Sequence, residues 1–512
     1  MKPRTMAIAS LVLTSVDAQT TSQGVLGDRI GWLVKGSSFE IFNEVNGLLR
    51  QWGSALRPNG FSVTLASVPS HTLLYHARTD PDEPTSPEWF AFDSEMSYGI
   101  YGGRQNTPVF LRTYRTTSPL DRLLYFNGLS AALTFSGTTD SQDLLAPADG
   151  PSDSFGDYAR AERLCTWASS RNIKGFVRTN VGFEVLLCDL TELGLELVKN
   201  VNVTRWADEI DDHSNRSGSD RDGEKGRPRL PHPPPSPNDP PSVPPREPLP
   251  NNPHGHPGFP GPPRGRSNMF AQYASWEWLR SASHIYDGIG EARVRLYPEW
   301  HATAYGIPGS ESATRMASLS KETIDTWRAE VDQMLSESMS GKSSEIDWRG
   351  ATDMVISRYG DRLLQLKELL NSAYQDGAYT PSKNASTHLK HAHRLVSSLL
   401  LPFYDWDAPR EEQIDLCSKS VLLPSLDSAN KYEQKIWTAI TQVHKSICTV
   451  LVDVHSELTA LRPYHAHEVD LKLATVTERL EELIAQLDWS MWIRCPEVWS
   501  MESDVVAMAR RG

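Results

Sequence analysis

The chain has 512 residues, 39% of them apolar and 22% charged, with a formal net charge of −13. That length predicts two to four domains and a sizeable core. The acidic balance lacks the basic footprint of a nucleic-acid binder, and no stretch is apolar and long enough to span a bilayer.

Residues 1–18 read as a signal peptide. Lys2 and Arg4 form a basic start, Met6 to Leu13 is a mostly apolar run, and Val16-Asp17-Ala18 supplies small residues at a cleavage position. The expectation is a secreted, extracellular chain that begins near Gln19. Three acceptor sequons for N-glycosylation, at Asn202, Asn215 and Asn384, fit export.

A helix is predicted within residues 24–56, where Phe39, Ile41, Phe42, Val45, Leu48 and Leu49 approximate helical spacing. Phe61 to Leu65 alternates as a half-buried strand does. Leu73 to Arg78 and Trp89 to Phe92 read as strands, separated by the loop Thr79 to Pro87, and a short helix carrying Ser97 and Tyr98 follows. Further strands are expected at Pro108 to Tyr114, Arg122 to Phe126, Phe176-Val177, Phe183 to Leu190 and Leu195 to Val198. A helix spans Asp157 to Ser170, with Asp157 as its cap. Residues 19–212 are therefore expected to form one α+β domain.

Residues 213–267 read as a linker. Seventeen of the 35 prolines lie between Pro228 and Pro263, and a stretch so poor in apolar residues supplies no core. Residues 268–512 are expected to be an all-α helical bundle. Ile436, Ile440, Val443, Ile447, Val450 and Val454 repeat at three and four, as do Leu473, Val476, Leu480, Leu483, Ile484 and Leu487.

Five cysteines are present. Export allows Cys165–Cys188 as one disulfide and one pair among Cys417, Cys448 and Cys495; the alternative is buried free thiols. No CxxC spacing occurs. Neither the group His388, His391 and His393 nor the group His465, His467 and Glu468 has zincin order, so exposed histidines and no metal are expected.

His76-Ala77 at a strand end, Trp89-Phe90-Ala91 followed by Ser94 to Tyr98, and Glu184 opening an apolar late strand together resemble the ADP-ribosyltransferase superfamily. The branch concerned is the one with a His-Tyr-Glu signature, which includes the poly(ADP-ribose) polymerases. The resemblance covers about residues 73–190 and departs from the family pattern at Ala77, where the family has Gly, and at Trp89, where it has Tyr. It implies that His76 holds a ribose hydroxyl of NAD, that Tyr98 and Trp89 flank the nicotinamide, and that Glu184 stabilises the charge on the ribose as the nicotinamide bond breaks. The expected activity is transfer of ADP-ribose from NAD to an unknown acceptor, protein or water. The alternative is a non-catalytic secreted interaction protein on a degenerate fold of this kind. In that case Glu184 faces water at a strand edge, His76 is a hydrogen-bonded strand residue, and Trp89 and Tyr98 belong to the core.

Overall fold

The structure, a computed structural model, describes residues 37–50, 59–101, 108–130, 137–148, 156–179, 183–191, 194–203, 293–310, 313–375, 380–405, 407–420, 428–464 and 471–492. The proposed signal peptide, the Pro-rich stretch, Asn215, Cys495 and the group His465, His467 and Glu468 lie outside these residues.

The centre of the molecule is a nine-stranded mixed sheet in the order β8-β4-β2-β3-β7-β6-β5-β1-β9. Its strands are β1 (Asn59–Val68), β2 (Leu73–Arg78), β3 (Glu88–Ala91), β4 (Phe110–Thr116), β5 (Leu120–Gly128), β6 (Gly175–Thr179), β7 (Phe183–Leu187), β8 (Leu195–Asn202) and β9 (Arg295–Thr303). Neighbours run antiparallel except β5 and β6, which are parallel. Their crossover carries α3 (Asp140–Leu145) and α4 (Asp157–Ser169). Helix α1 (Ser38–Gly47) falls where the apolar spacing placed it, and α2 (Ser94–Tyr101) follows β3 as expected.

Strands β6 and β7 are buried along their whole length, as expected of strands with both faces covered. Gly175 permits the close packing of β6 on β7, because a Cβ there would lie 2.1 Å from the Leu186 carbonyl oxygen. One face of the sheet carries Val63, Leu124, Phe176, Leu186 and Trp89, covered in part by Ala161, Leu164 and Ala168 of α4. The other carries Ala66, Leu123, Val177, Val185, Phe90 and Leu74.

The C-terminal region is helical, with α5 (Lys321–Glu337), α6 (Trp348–Ser372), α7 (Ala385–Leu400), α8 (Arg410–Ser418), α9 (Lys431–Ala460) and α10 (Leu471–Leu487). Helix α9 starts at a capping box. The Asn430 side chain accepts from the backbone N–H groups of Tyr432 and Glu433, and Glu433 accepts from the Asn430 N–H. The fully buried Glu433 carboxylate also accepts from Trp348 Nε1 at 3.1 Å, which ties α6 to α9.

The expectation of an all-helical unit from residue 268 onward is corrected by β9. This strand follows the Pro-rich stretch in sequence but pairs with β1, Ser62 opposite Thr303 and Ser67 opposite Arg295. Pro298 escaped notice as a strand residue. It sits where the register jumps from Tyr297 to His301, on an edge strand, the two settings in which a strand tolerates proline. Helix α1 packs on α9 and α6, and Arg50 donates to both Asp353 carboxylate oxygens at 2.7 Å. A single apolar cluster runs from the sheet into the helices.

Two disulfides are present, Cys165–Cys188 and Cys417–Cys448, with Cα separations of 5.3 and 5.8 Å. Among the described residues, no helix is long and apolar enough to cross a membrane. His393 is not the exposed residue expected. It is buried on α7, with Nε2 3.1 Å from the Thr459 hydroxyl, whereas His391 is exposed.

Because β9 and α1 carry the union of the two regions, cutting the chain should not part them. With a specific protease site inserted between residues 213 and 267, the cleaved halves should co-elute as one species in native size-exclusion chromatography and separate only in denaturant. Separation in native buffer would contradict the shared sheet and core.

Candidate functional site

Register decides which side chains can meet. Directly opposed residues of neighbouring strands share a face, and successive residues alternate. Ala91 pairs with Tyr75 on one side and with Glu184 on the other, and Glu184 pairs with Arg178. These four residues therefore share a face, and Trp89 joins them two residues from Ala91. His76, next to Tyr75, lies on the opposite face. There it pairs with Arg112, and its ring is 5.4 Å from that of Phe90.

On the first face, Glu184 is held in a buried ion network. Arg178, 2% exposed, donates Nε–H to Glu184 Oε2 at 2.9 Å and grips Asp157 with Nη1 and Nη2, both at 2.8 Å. Its guanidinium carbon lies 3.6 Å from the centroid of the Trp89 ring, a cation–π contact strengthened by the absence of water. Arg160, fully buried on α4, donates to Asp157 and to Asp143, and Arg163 adds a second cation at Asp143. Three arginines thus face three carboxylates.

The protonation preferences follow from this crowding. Burial lifts the Glu184 carboxyl above its usual range; Arg178 pulls it back, and the charge of Asp157 adds to the lift. Burial works against the Asp157 carboxylate too, but Arg178 and Arg160 together hold it below its usual range. Asp157 was expected to cap α4. The structure instead has Gly156 at the cap, with no side-chain cap bond, and turns Asp157 toward Arg178.

Tyr98 is 3% exposed on α2 and packs with Ala77 and Val109, on the same side of the sheet as Glu184. Trp89 is a core residue. The structure thus brings Glu184, Trp89 and Tyr98 to one side and leaves His76 on the other. The expectation that His76, Tyr98 and Glu184 line one cleft is not met: the odd separation between Tyr75 and His76 puts the sheet between the histidine and the glutamate.

On the second face, His76 Nδ1 lies 2.8 Å from the Trp89 carbonyl oxygen. A carbonyl can only accept, so Nδ1 carries the proton and Nε2 the lone pair. Nε2 is 3.5 Å from Glu88 Oε2 and has no hydrogen-bond partner among the described residues. Burial raises the Glu88 carboxyl above its usual range, against hydrogen bonds from the Trp89 N–H and the Tyr158 hydroxyl. Arg112 is fully buried. Its Nη2 donates to the Asp80 carbonyl at 3.1 Å, while Nε and Nη1 have no partner among the described residues. Beside this cluster opens a polar cavity of about 330 Å³, lined by Arg78, Asp80, Ser86, Glu88, Tyr158 and Glu162 among others.

Sequence reasoning missed Glu88, Arg112 and Arg178. Arg178 had a legible signal, since it is a charge directly after the apolar pair Phe176-Val177. It also stands as far before Val181 as Glu184 stands after it, so a hairpin there sets the two opposite each other. Arg112 had only its place in an alternating strand, which does not separate a buried arginine from a solvated one.

Burial lowers the pKa of His76 from 6.5 to about 4, with Arg78 and Arg112 adding to the shift; the Trp89 carbonyl and Asp80 oppose it. The unfolded chain therefore binds a proton between pH 6.5 and pH 4 that the folded chain refuses, so stability is full above that window and falls as the pH drops through it. His76→Gln should lose less. Between pH 7 and pH 4 the wild type should give up on the order of 3 kcal/mol more than the variant in urea unfolding. Equal losses would place His76 outside the buried site.

Comparison with known proteins finds one family model and two uncharacterized proteins to which part of the chain is similar. Residues 33–109 and 100–223 match the model of the YPL277C N-terminal domain, a span that runs from α1 to β8 and stops before β9. The uncharacterized protein YOR389W of Saccharomyces cerevisiae is 30% identical over 214 residues, which cover 33% of this chain and 34% of that protein. The uncharacterized protein YPL277C of the same organism is 30% identical over 215 residues, covering 33% of this chain and 44% of its own length. The chain thus spans less than half the length of either curated relative. No solved structure matches it.

Proposed function

We propose that this is an exported binding protein whose sheet region takes up a small polar ligand at the cavity beside Glu88, and that it does not cleave NAD. The observation that carries this reading is the state of Glu184. A catalytic carboxylate must reach the ribose of a bound cofactor, but this one is 9% exposed and engaged by Arg178. His76, which would share the cofactor with it, faces the other side of the sheet. The cavity offers both charge signs and hydroxyls, and the partly unpaired polar atoms of His76 and Arg112 lie close by. Convergent polar groups with shifted pKa values beside a cavity are the usual mark of a ligand site.

Export is supported by the two disulfides, which suit an oxidising compartment. The sequon residues Asn202 and Asn384 are both exposed. The second reading, an NAD-dependent ADP-ribosyltransferase or NAD glycohydrolase, is favoured by Trp89, Tyr98 and Glu184 sharing one side of the sheet.

Nicotinamide release separates the two. The full chain, incubated with millimolar NAD, should release none above the uncatalysed background, and Glu184→Gln should change the melting temperature without changing that result. Release by the wild type that Glu184→Gln abolishes, with the fold intact by circular dichroism, would overturn the binding-protein reading.

A further inference from the structure

The Cys417–Cys448 disulfide lies beside a third metal-ligand atom. Cys417 is in the last turn of α8, and His444 and Cys448 stand four residues apart on one face of α9. All three residues are at most 1% exposed, and their ligand atoms lie within 4.8 Å of one another. Among the described residues, the Cys165–Cys188 pair has no such third atom.

The imidazole is already set as a metal ligand would be. Its Nδ1 is 2.9 Å from the Ser418 carbonyl oxygen, so Nδ1 holds the proton and Nε2 presents its lone pair. Metal-binding histidines are held in this way, with the second ring nitrogen donating to a carbonyl or carboxylate. Nε2 is 3.7 Å from Cys448 Sγ and accepts from the Tyr359 hydroxyl of α6 at 2.9 Å. Ligands at Zn–S of about 2.3 Å and Zn–N of about 2.0 Å in a tetrahedron lie roughly 3.5–3.8 Å apart. The His444–Cys448 spacing already has that value. For a metal to enter, the two sulfurs must part and the Tyr359 hydroxyl must leave Nε2; the 5.8 Å between the cysteine Cα atoms accommodates the first by side-chain rotation.

We propose that reduction of Cys417–Cys448 converts this site into a zinc site made by Cys417, Cys448 and His444, so that the disulfide and the metal are alternative clamps between α8 and α9. A dithiol reductant supplies two electrons and two protons and is itself oxidised to its disulfide, leaving Cys417 and Cys448 as thiols. Zinc binding then expels those two protons to solvent as both sulfurs coordinate as thiolates. Tyr359 releases Nε2, which takes the third position, and the fourth is left to water. A disulfide oxidant takes the two electrons from the zinc-bound thiolates and is reduced to its dithiol, which re-forms Cys417–Cys448 and ejects the metal.

The test uses the full chain, reduced with a phosphine and desalted without oxygen, with cobalt(II) as the spectroscopic probe and zinc titrated against a chelating dye. One metal per chain is expected, with a thiolate-to-cobalt charge-transfer band, and none in the oxidised protein. His444→Gln should weaken binding at least about tenfold, since even outer-shell changes cost 10–100-fold. Cys417→Ser should abolish the band. A Cys165→Ser/Cys188→Ser/Cys495→Ser variant should keep both band and stoichiometry. Absence of binding by the reduced wild type overturns the proposal. So does binding that survives in Cys417→Ser, or that is indifferent to His444→Gln, the behaviour of a reduced chain that has lost this fold.

Discussion

A guanidinium with 2% exposure in the middle of a sheet is the constraint on which the N-terminal region turns. Removing such a charge from water costs several kcal/mol unless every donor and the charge itself are answered. Arg178 is answered on all sides, by Asp157, Glu184 and Gln142 in its plane and by the Trp89 ring against its face. Each of those answers fixes an element. Glu184 sets the register of the β6–β7 hairpin, Trp89 locks β3 beside it, and Asp157 places the start of α4 over both strands. The Cys165–Cys188 bond then ties the second half of α4 to the end of β7. The helix is thus pinned at two points, one ionic and one covalent, and the apolar residues Ala161, Leu164 and Ala168 are delivered to the sheet between and just beyond them.

This clamp gives a structural account of a carboxylate that opens an apolar strand. In the sequence, Glu184 before Val185-Leu186-Leu187 shows only that a charge sits where a core begins. Whether that charge meets a substrate or a structural partner depends on the strand six residues earlier. Strands β1 to β8 were legible from their apolar or alternating runs, as were the helices α1, α4, α9 and α10 from their spacing. The Cys165–Cys188 pair was legible because only two cysteines precede the Pro-rich stretch. The facing of His76 against Glu184 was not, because it rests on a pairing parity between β2, β3 and β7 that no local pattern encodes.

The join between the two halves of the chain was hidden for a different reason. Strand β9 reads as Arg-Leu-Tyr-Pro-Glu-Trp-His-Ala-Thr, with a proline and four charged or titratable residues, and its neighbours downstream are strongly helical. Its strand character comes from its partner: it covers the outer edge of β1, and an edge strand tolerates both polar side chains and a proline at an irregular position. As a result the sheet is completed by residues that lie beyond the Pro-rich stretch, and Trp300 and Ala302 carry its apolar face on into the helices. The segment that matches the YPL277C N-terminal domain model is thus, in this chain, one part of a larger folded unit.

Arg178 and Glu184 form a structural pair, and a double-mutant cycle probes that pairing. Arg178→Met, Glu184→Gln and the double variant would be compared with the wild type by denaturant unfolding at pH 7. Arg178→Met alone should cost about 3–5 kcal/mol, because it leaves carboxylates buried without their counter-charge, and the two substitutions should be coupled by at least about 1 kcal/mol. Additive effects, with a coupling of no more than a few tenths of a kcal/mol, would contradict the pairing and return Glu184 to the group of carboxylates free to act on a ligand.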